Sequence, residues 1–325
     1  MNARTIHSQV ARLFRPLHSA GRRTTGAAVE QEFFAVDFFN GSSVHPKRVT
    51  ESVAGRPYAP WVSFEPGGQV ELSLPVAKSP GAAARHLVEV TRALAADLLG
   101  CGIVLYAQPV RACQPTTARF LQSPRYDAME RHFDAIGPAG RRMMRSTTST
   151  QVCLDWWPGR AGLEQWRLLL LAGPFLAAAT AHSSGPTGRL TTWLAADPDR
   201  TAFDDRLLHG DPVSAYASFA AGAADFLGEG VEAHLSTLFP PVRPRGSYLE
   251  IRFPDAQRTE DVGALVEGLA DLLYDDERRR TALASVAGEQ SRLAEHWAAT
   301  AAGTGDVERG MALLGAGTSR REVAA

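Results

Sequence analysis

The sequence predicts an α+β protein in which short strands with one polar face are combined with amphipathic helices. Residues 69–73 alternate polar and apolar side chains, which is typical of a strand that is buried on one side. Residues 79–100, and the chain from residue 259 onward, instead carry apolar residues at helical spacing. We therefore expect a sheet with helices packed on its outside.

Composition excludes several classes of protein. The 325 residues, 45% of them hydrophobic, fit one large globular domain, and a formal net charge of −1 gives no basic surface for nucleic acid. The sequence contains no run of 18 apolar residues, so it predicts no membrane-spanning helix. Cys101, Cys113 and Cys153 are widely spaced, which argues against a zinc site or a disulfide framework and favours a reducing cytoplasm.

The first 29 residues contain no acidic side chain and five arginines, which loosely resembles a transit peptide. They lack the apolar core of a secretion signal. Because alanine, glycine and arginine are frequent along the whole chain, we favour an ordinary N-terminal helix with a loose end.

Residues 26–37 predict a central strand. Glu30 and Glu32 lie two residues apart and therefore point to the same face. Like charges this close repel unless a cation lies between them. The alternative is an edge strand whose acids face solvent. The neighbouring residues are nearly all apolar, which argues against this alternative.

The segment 64–73 contains two further acids, Glu65 and Glu71, separated by a Pro-Gly-Gly turn and Gln69. Polar groups on an inner face are costly to bury without a charged partner, and Mg²⁺ is bound by carboxylate oxygens. The segment predicts either a metal site or an acidic rim facing water.

Helices are predicted over 79–100, with Ser79 as N-cap, and over 124–136. Residues 163–172 predict a buried helix that breaks at Gly173-Pro174. Residues 102–109 predict a strand, and residues 195–232 an uncertain loop or short helix.

Two later strands add polar residues. Over 148–155, Gln151, Cys153 and Asp155 share a face, which fits a polar cleft and a half-exposed edge strand equally well. Over 248–253, Glu250 and Arg252 share a face, and Arg243 and Arg245 lie just before this strand. Three arginines and a glutamate are typical of a phosphate clamp beside a metal ligand, and also of a structural ion pair.

Together, the inward acids require cations and the arginines require an anion. ATP with two or three Mg²⁺ ions satisfies both requirements. No phosphate-binding P-loop and no Gly-x-Gly-x-x-Gly turn is present, so a P-loop enzyme and a Rossmann dehydrogenase are poorly supported.

At this point the motifs resemble the glutamate–cysteine ligase family, in the type found in plants and actinobacteria, including the ligase of the ergothioneine pathway. The resemblance covers roughly residues 25–275. The motifs that carry it are Glu30-Gln-Glu32, Glu65-Pro-Gly-Gly-Gln-Val-Glu71-Leu-Ser, Met143-Met144 with Thr150-Gln-Val-Cys-Leu-Asp155, and Leu238 to Arg245 with Leu249-Glu-Ile-Arg252.

This resemblance implies a curved antiparallel sheet, as in glutamine synthetase, whose concave face holds the nucleotide and metals. It implies an ATP- and Mg²⁺-dependent ligase that joins the γ-carboxylate of glutamate to an amine such as cysteine through an acyl phosphate. It further implies one catalytic domain over 26–325, helical from about 258, after an N-terminal helix or loose segment over 1–25.

The resemblance also assigns roles to individual residues. Arg252 and Arg243 are expected to act in catalysis, with Arg252 on the transferred phosphoryl group. Substrate or nucleotide contacts are expected from Gln69, Gln151, Arg245 and Arg189. Metal ligands are expected at Glu30, Glu32, Glu65, Glu71 and Glu250.

Departures from the family pattern concern the acceptor. Cys153 stands where relatives usually carry asparagine, and the segment around 220–232 is shorter than in longer relatives. A different amino acid or amine as acceptor is therefore an alternative. Two others are a non-catalytic relative that binds nucleotide or amino acid, and a phosphotransferase that does not ligate.

Overall fold

In the described part of the chain, seven strands form one sheet. The computed structural model describes residues 2–111 and 118–315, so Cys113 lies outside the described residues. The strands are β1 (Ala27–Asp37), β2 (Val62–Phe64), β3 (Val70–Ser73), β4 (Ile103–Tyr106), β5 (Thr150–Asp155), β6 (Val242–Pro244) and β7 (Tyr248–Ile251).

Helices make up most of the remaining described chain. They are α1 (Ala3–Leu13), α2 (Pro46–Ser52), α3 (Pro80–Gly100), α4 (Pro124–Ile136), α5 (Pro138–Ser146), α6 (Gly159–Ala179), α7 (Arg189–Leu194), α8 (Pro198–Thr201), α9 (Pro212–Gly222), α10 (Val231–Leu235), α11 (Val262–Tyr274), α12 (Asp276–Val286), α13 (Leu293–Ala302) and α14 (Val307–Leu314). None of them is long and apolar enough to cross a bilayer.

Strand β1 lies at the centre of the sheet. The strand order is β2-β3-β1-β5-β7-β6, and β4 pairs with the second half of β1. All of these pairings are antiparallel. The predicted α+β class with an antiparallel sheet is therefore confirmed.

The two faces of the sheet differ in chemistry. Val29, Val152 and Leu249 are buried in the main hydrophobic cluster, which continues into the helices. Helix α3 packs against β1 and β4, while α6 packs against α12, α13 and α14. On the other face of the same strands lie Glu30, Gln151 and Glu250, which alternate with these apolar residues. The apolar face thus anchors the strands that carry the acids.

Helix α6 corrects one expectation. It runs without interruption through Gly173 and Pro174, where the sequence predicts a break. Proline inside a helix costs about 3 kcal/mol. Here α6 is buried along most of its length, and Thr300 Oγ1 donates a hydrogen bond to Pro174 O at 3.0 Å. Tertiary packing therefore overrides the local preference.

Other predicted elements match closely. Helix α3 has Ser79 as its N-cap, with Oγ accepting from Ala82 N at 3.3 Å, and α4 has the predicted bounds. The strands predicted over 102–109, 148–155 and 248–253 are each shorter in the structure. The uncertain region 195–232 contains α8, α9 and the start of α10.

The N-terminal segment packs on the rest of the chain. Helix α1 lies against α9, and the Phe14 ring makes edge contacts with Trp156 and Trp166 at 5.2 Å. The division at about residue 25 stays a prediction.

Candidate active site

A tight turn brings Glu65 and Gln69 together at the end of the β2–β3 hairpin. Glu65 N donates to Gln69 O at 2.9 Å, and Gly68 N donates to Glu65 O at 2.8 Å. Gly68 has a φ of +81°, which favours glycine, so the Pro-Gly-Gly sequence has a direct structural reason. The turn fixes the backbone from which both side chains reach the polar face.

Three carboxylates meet on this face, and we call them the acid triad: Glu32, Glu65 and Glu71. Each offers an oxygen, and these three oxygens all lie within 4.8 Å of one another. Glu32 and Glu71 come together because they are opposite residues in the β1–β3 register. Antiparallel pairing thus places like charges side by side, which costs free energy without a counter-charge.

Hydrogen bonds fix the orientation of the triad. Glu32 Oε2 accepts from the backbone N of Ser149 at 2.8 Å. Glu71 Oε1 accepts from Ser63 Oγ at 2.8 Å and from Ser73 Oγ at 3.1 Å. The carboxylates of Glu32 and Glu71 are therefore preorganised.

The electrostatics of the triad call for a cation. Burial and the neighbouring Glu71 raise the pKa of Glu32 to about 7. Burial, Glu32 and Glu71 raise the pKa of Glu65 well above its ordinary value. An all-oxygen donor set of carboxylates fits a hard divalent cation such as Mg²⁺, which would relieve this repulsion.

Glu30 lies on the same face of β1 but outside the triad. It is opposite Ser73 on one side and Gln151 on the other. Burial, followed by Glu71 and Glu250, raises its pKa to about 7. The structure thus places it between the acid triad and Glu250.

Glu250 is surrounded by arginines. Arg243 donates to both of its oxygens at 2.8 Å, Arg252 also contacts it, and Arg245 Nε lies 3.5 Å away. Burial would raise the pKa of Glu250, but Arg252 and Arg243 lower it to about 2. In this arrangement Glu250 balances the arginines. Its expected role as a metal ligand stays a prediction.

Gln151 connects the two groups. Its Nε2 donates to Glu32 Oε1 at 3.2 Å, and its Oε1 accepts from Arg252 Nη1 at 2.7 Å. One side chain therefore orients both a triad acid and the arginine expected at the transferred phosphoryl group.

A cavity opens beside the triad. Six of the predicted site residues line it: Glu32, Glu65, Gln69, Gln151, Arg189 and Arg252. The other five do not line it. Glu71 is next to the cavity because it belongs to the acid triad. Arg243 and Arg245 form ion pairs with Glu250, and Glu30 lies between the acid triad and Glu250.

Sequence reasoning missed the far wall of this cavity. Helices α4, α5 and α7 supply apolar and aromatic side chains, and Asp197 adds a buried carboxylate bound to His132 and Arg200. The missed residues include Tyr126, Met129, Phe133 and Trp193, whereas Met144 and Phe239, which also line the cavity, belong to motifs that carry the family resemblance. Only the apolar spacing along α4 marks some of them, and that spacing is equally typical of core residues.

Two other polar residues of β5 have different surroundings. Asp155, for which the sequence allows either a polar cleft or a half-exposed edge strand, accepts from Gly26 N at 2.7 Å and does not line the cavity. Cys153 is buried opposite Glu250, and burial together with Glu250 and Glu30 raises the pKa of its thiol well above the ordinary value.

An antiparallel sheet that carries a carboxylate cluster beside arginines on one face is the arrangement that the sequence resemblance implies for a glutamine synthetase-like fold. A bifunctional glutathione synthetase from Pasteurella multocida shares this fold, with a TM-score of 0.56 and 14% identity over 99% of this chain and 49% of that one. The chain belongs to glutamate–cysteine ligase family 2, whose family model matches residues 28–314.

Named relatives agree with this family. The glutamate–cysteine ligase EgtA of Mycolicibacterium smegmatis is 33% identical over 258 residues, 66% of this chain and 60% of the relative. The chloroplastic glutamate–cysteine ligase of Arabidopsis thaliana is 29% identical over 269 residues, 66% of this chain and 49% of the relative. The chain therefore spans about half to three fifths of the length of these relatives.

Proposed function

We propose that this protein is an ATP-dependent ligase that joins the γ-carboxylate of glutamate to an amine, in the simplest case cysteine. The observation that carries the proposal is the acid triad, which shares one cavity with Arg189 and Arg252. Membership of the glutamate–cysteine ligase family supports the same chemistry. We also propose that residues 26–325 form one catalytic domain.

The acid triad is proposed to hold Mg²⁺, with Glu30 and Glu250 as ligands of further ions. Bound Mg²⁺ supplies neutralisation of phosphate charge. The protein contributes the fixed orientation of Glu32, held by Ser149, and of Glu71, held by Ser63 and Ser73. These serines matter because a preorganised ligand set loses little free energy to reorientation.

Arg252 is proposed to stabilise the charge of the transferred phosphoryl group. A carboxylate does not acylate an amine until an oxygen becomes a good leaving group, and phosphorylation by ATP achieves this. Such transfer depends mainly on positioning and charge neutralisation. Arg243 holds the carboxylate of Glu250, which in turn accepts a hydrogen bond from Arg252 Nη1. Gln151 Oε1 accepts from the same nitrogen, so both contacts position the guanidinium of Arg252.

Arg245 and Arg189 are proposed to contact phosphates or the substrate carboxylate. Arg245 is the more exposed of the two, with 42% of its side chain accessible, whereas Arg189 is buried. This difference suits Arg245 to a group that arrives from solvent and Arg189 to the interior of the cavity.

A different amine acceptor is the second candidate. Ala196, Asp197 and Thr201 line the cavity, and they lie in the region 195–232, whose part around 220–232 is expected to be shorter than in longer relatives. If this segment contacts the acceptor, its chemistry sets the specificity of the enzyme, and an amine other than cysteine is then accommodated at the same site.

The test is ADP release with glutamate, ATP and Mg²⁺, with and without cysteine, followed by mass spectrometry of the product. We expect cysteine-dependent release and γ-glutamylcysteine. Stimulation by another amine would support the second candidate, and phosphorylated glutamate without ligation would indicate a phosphotransferase. Absence of ADP release with every amine would favour a binding protein.

A further inference from the structure

Three unpartnered polar atoms lie on residues that line the cavity. Among the described residues, seven buried side-chain polar atoms have no hydrogen-bond partner. Gln69 Oε1, Arg189 Nε and Arg252 Nε belong to this group, and all three residues line the cavity beside the acid triad. Buried polar groups without partners are rare in folded proteins, so their concentration here indicates a polar ligand.

The amide of Gln69 has a defined orientation. The residue is 2% exposed, and its Nε2 donates to Thr147 O at 2.9 Å and to Met144 O at 3.4 Å. Reversing the amide would place Oε1 against these two carbonyl oxygens, which repel it. The backbone after α5 therefore fixes Gln69 so that it presents an acceptor, and a ligand atom that meets it must be a donor.

Arg189 provides the complementary charge. Its Nη1 and Nη2 donate to the backbone oxygens of Phe253 at 3.2 Å and Arg252 at 2.9 Å, and Nη1 also lies 3.6 Å from Asp255 Oδ1. Nε has no partner, so this buried and charged guanidinium still offers one donor that a carboxylate oxygen would satisfy. An acceptor and a cation in one cavity match the ammonium and carboxylate of an amino acid.

The position of Gln69 also limits the length of that amino acid. Gln69 and Glu71 are two residues apart, where successive side chains on one face of a strand are about 7 Å apart. Glu71 belongs to the acid triad. A side chain with a γ-carboxylate spans this distance, so its carboxylate reaches the proposed metal site while its ammonium remains at Gln69.

We infer that Gln69 Oε1 accepts a hydrogen bond from the α-ammonium of the glutamate substrate, and that Arg189 attracts its α-carboxylate. Gln69 thereby selects amino acids over simple dicarboxylic acids. This inference rests on the proposed function, because it names the group by which the substrate of that site is recognised.

The experiment compares L-glutamate with glutarate, which has both carboxylates but no ammonium. The wild-type protein should use and bind L-glutamate at least tenfold better. In Gln69→Met, kcat/KM for L-glutamate should fall about 10- to 100-fold, as expected for a hydrogen bond to a charged group, while the value for glutarate stays within about threefold. Calorimetric binding of both acids gives a readout that does not depend on turnover.

Gln165→Met is the matched control. Gln165 is also fully buried, but its contacts are Trp157 N at 2.9 Å and Leu273 O at 3.5 Å, and it does not line the cavity. This variant should keep the wild-type preference for L-glutamate even if its stability falls.

Three outcomes would overturn the inference. One is a wild-type protein that uses or binds glutarate as well as L-glutamate, a result that needs no variant and so survives misfolding of Gln69→Met. A second is an equal fall for both acids in Gln69→Met, which would make Gln69 a structural support of the backbone at Thr147. A third is failure to bind either acid. Preferential binding of L-glutamate without any ADP release would instead overturn the proposed function and keep the recognition by Gln69.

Discussion

Arg243 holds the carboxylate of Glu250 through two parallel hydrogen bonds, Nε to Oε2 and Nη2 to Oε1, each 2.8 Å long. Both side chains are largely buried, and Arg252 contacts the same carboxylate. A planar guanidinium suits this forked geometry, whereas lysine does not. Glu250 is thus the negative charge that makes buried arginines tolerable in this part of the site.

Glu250→Gln should therefore destabilise the protein. Removing one partner of a buried ion pair leaves the other charge uncompensated, and we expect a loss of about 3 kcal/mol in the free energy of unfolding. Urea denaturation measures it. Glu260→Gln, at an exposed position, should change stability little. Equal stability of the wild type and Glu250→Gln would show that the arginines do not depend on this carboxylate.

Glu65→Gln should have the opposite effect when no divalent cation is present. The pKa of Glu65 is raised by burial and by Glu32 and Glu71, so at neutral pH folding must either hold its charge among like charges or protonate it, and both cost free energy. A neutral amide removes this cost and should stabilise the protein by about 1 kcal/mol, or about 2 °C in Tm. Thermal denaturation with and without Mg²⁺ provides the check. The wild type should gain Tm on addition of Mg²⁺ and the variant should gain less. A variant that melts below the metal-free wild type would contradict mutual repulsion in the triad.

Gly67→Ala should disrupt the turn that carries Glu65 and Gln69. A Cβ at Gly67 would lie 2.2 Å from the backbone oxygen of Arg145, a contact that requires backbone movement. We expect a loss of at least about 2 kcal/mol in unfolding free energy, together with loss of activity. Gly100→Ala is the control, because a Cβ there meets nothing within 4 Å. Wild-type stability of Gly67→Ala would mean that the turn and α5 adjust to each other.

Glu164→Gln should show a stability cost that depends on pH. Burial raises the pKa of Glu164, but hydrogen bonds from Arg279 and Arg160 lower it below its ordinary value of 4.5. An acid with a lowered pKa in the folded state adds stability above its unfolded pKa and loses it as the pH falls through the folded value. Arg279 is fully buried, so we expect a cost of about 3 kcal/mol at pH 7.

That cost should shrink as the pH falls below about 4.5, because the wild-type carboxylate then becomes neutral as well. The measurement is the difference in unfolding free energy between wild type and variant at pH 7 and at pH 3. A difference that stays constant over this range would exclude the ion pair as its source.

The faces of the strands were predictable from the sequence, but their neighbours were not. Alternation along β1 and β3 predicts that Glu32 and Glu71 each leave the apolar face. Only the register, which places them opposite one another, brings both into a triad with Glu65. Register depends on turns and on packing elsewhere in the sheet, so a local pattern does not contain it.

The surroundings of Glu250 show the same limit. The sequence favours a phosphate clamp beside a metal ligand and also allows a structural ion pair. The β6–β7 pairing places Arg243 directly opposite Glu250, and the ion pair follows from that register. The far cavity wall was missed for a related reason, since Met129 and Phe133 on α4 cannot be told from core residues by their spacing.

Pro174 shows where local preference fails. A Gly-Pro pair is a strong helix-breaking signal, yet α6 continues through it. The signal is local, whereas the buried surroundings of α6 come from helices more than a hundred residues later in the chain.

The central position of β1 has a consequence for how the protein acquires its shape during synthesis. Glu30 pairs with Ser73 on one side and with Gln151 on the other, and Cys153 then pairs with Glu250, so two of these three connections span roughly a hundred residues of chain. Sheets built from such distant segments fold slowly, and domains generally fold as units. A ribosome delivers every acid of the triad long before Arg243 and Arg252. The emerging chain therefore carries acids whose positive counterparts do not yet exist, and closure of the sheet must wait until β6 and β7 have been made.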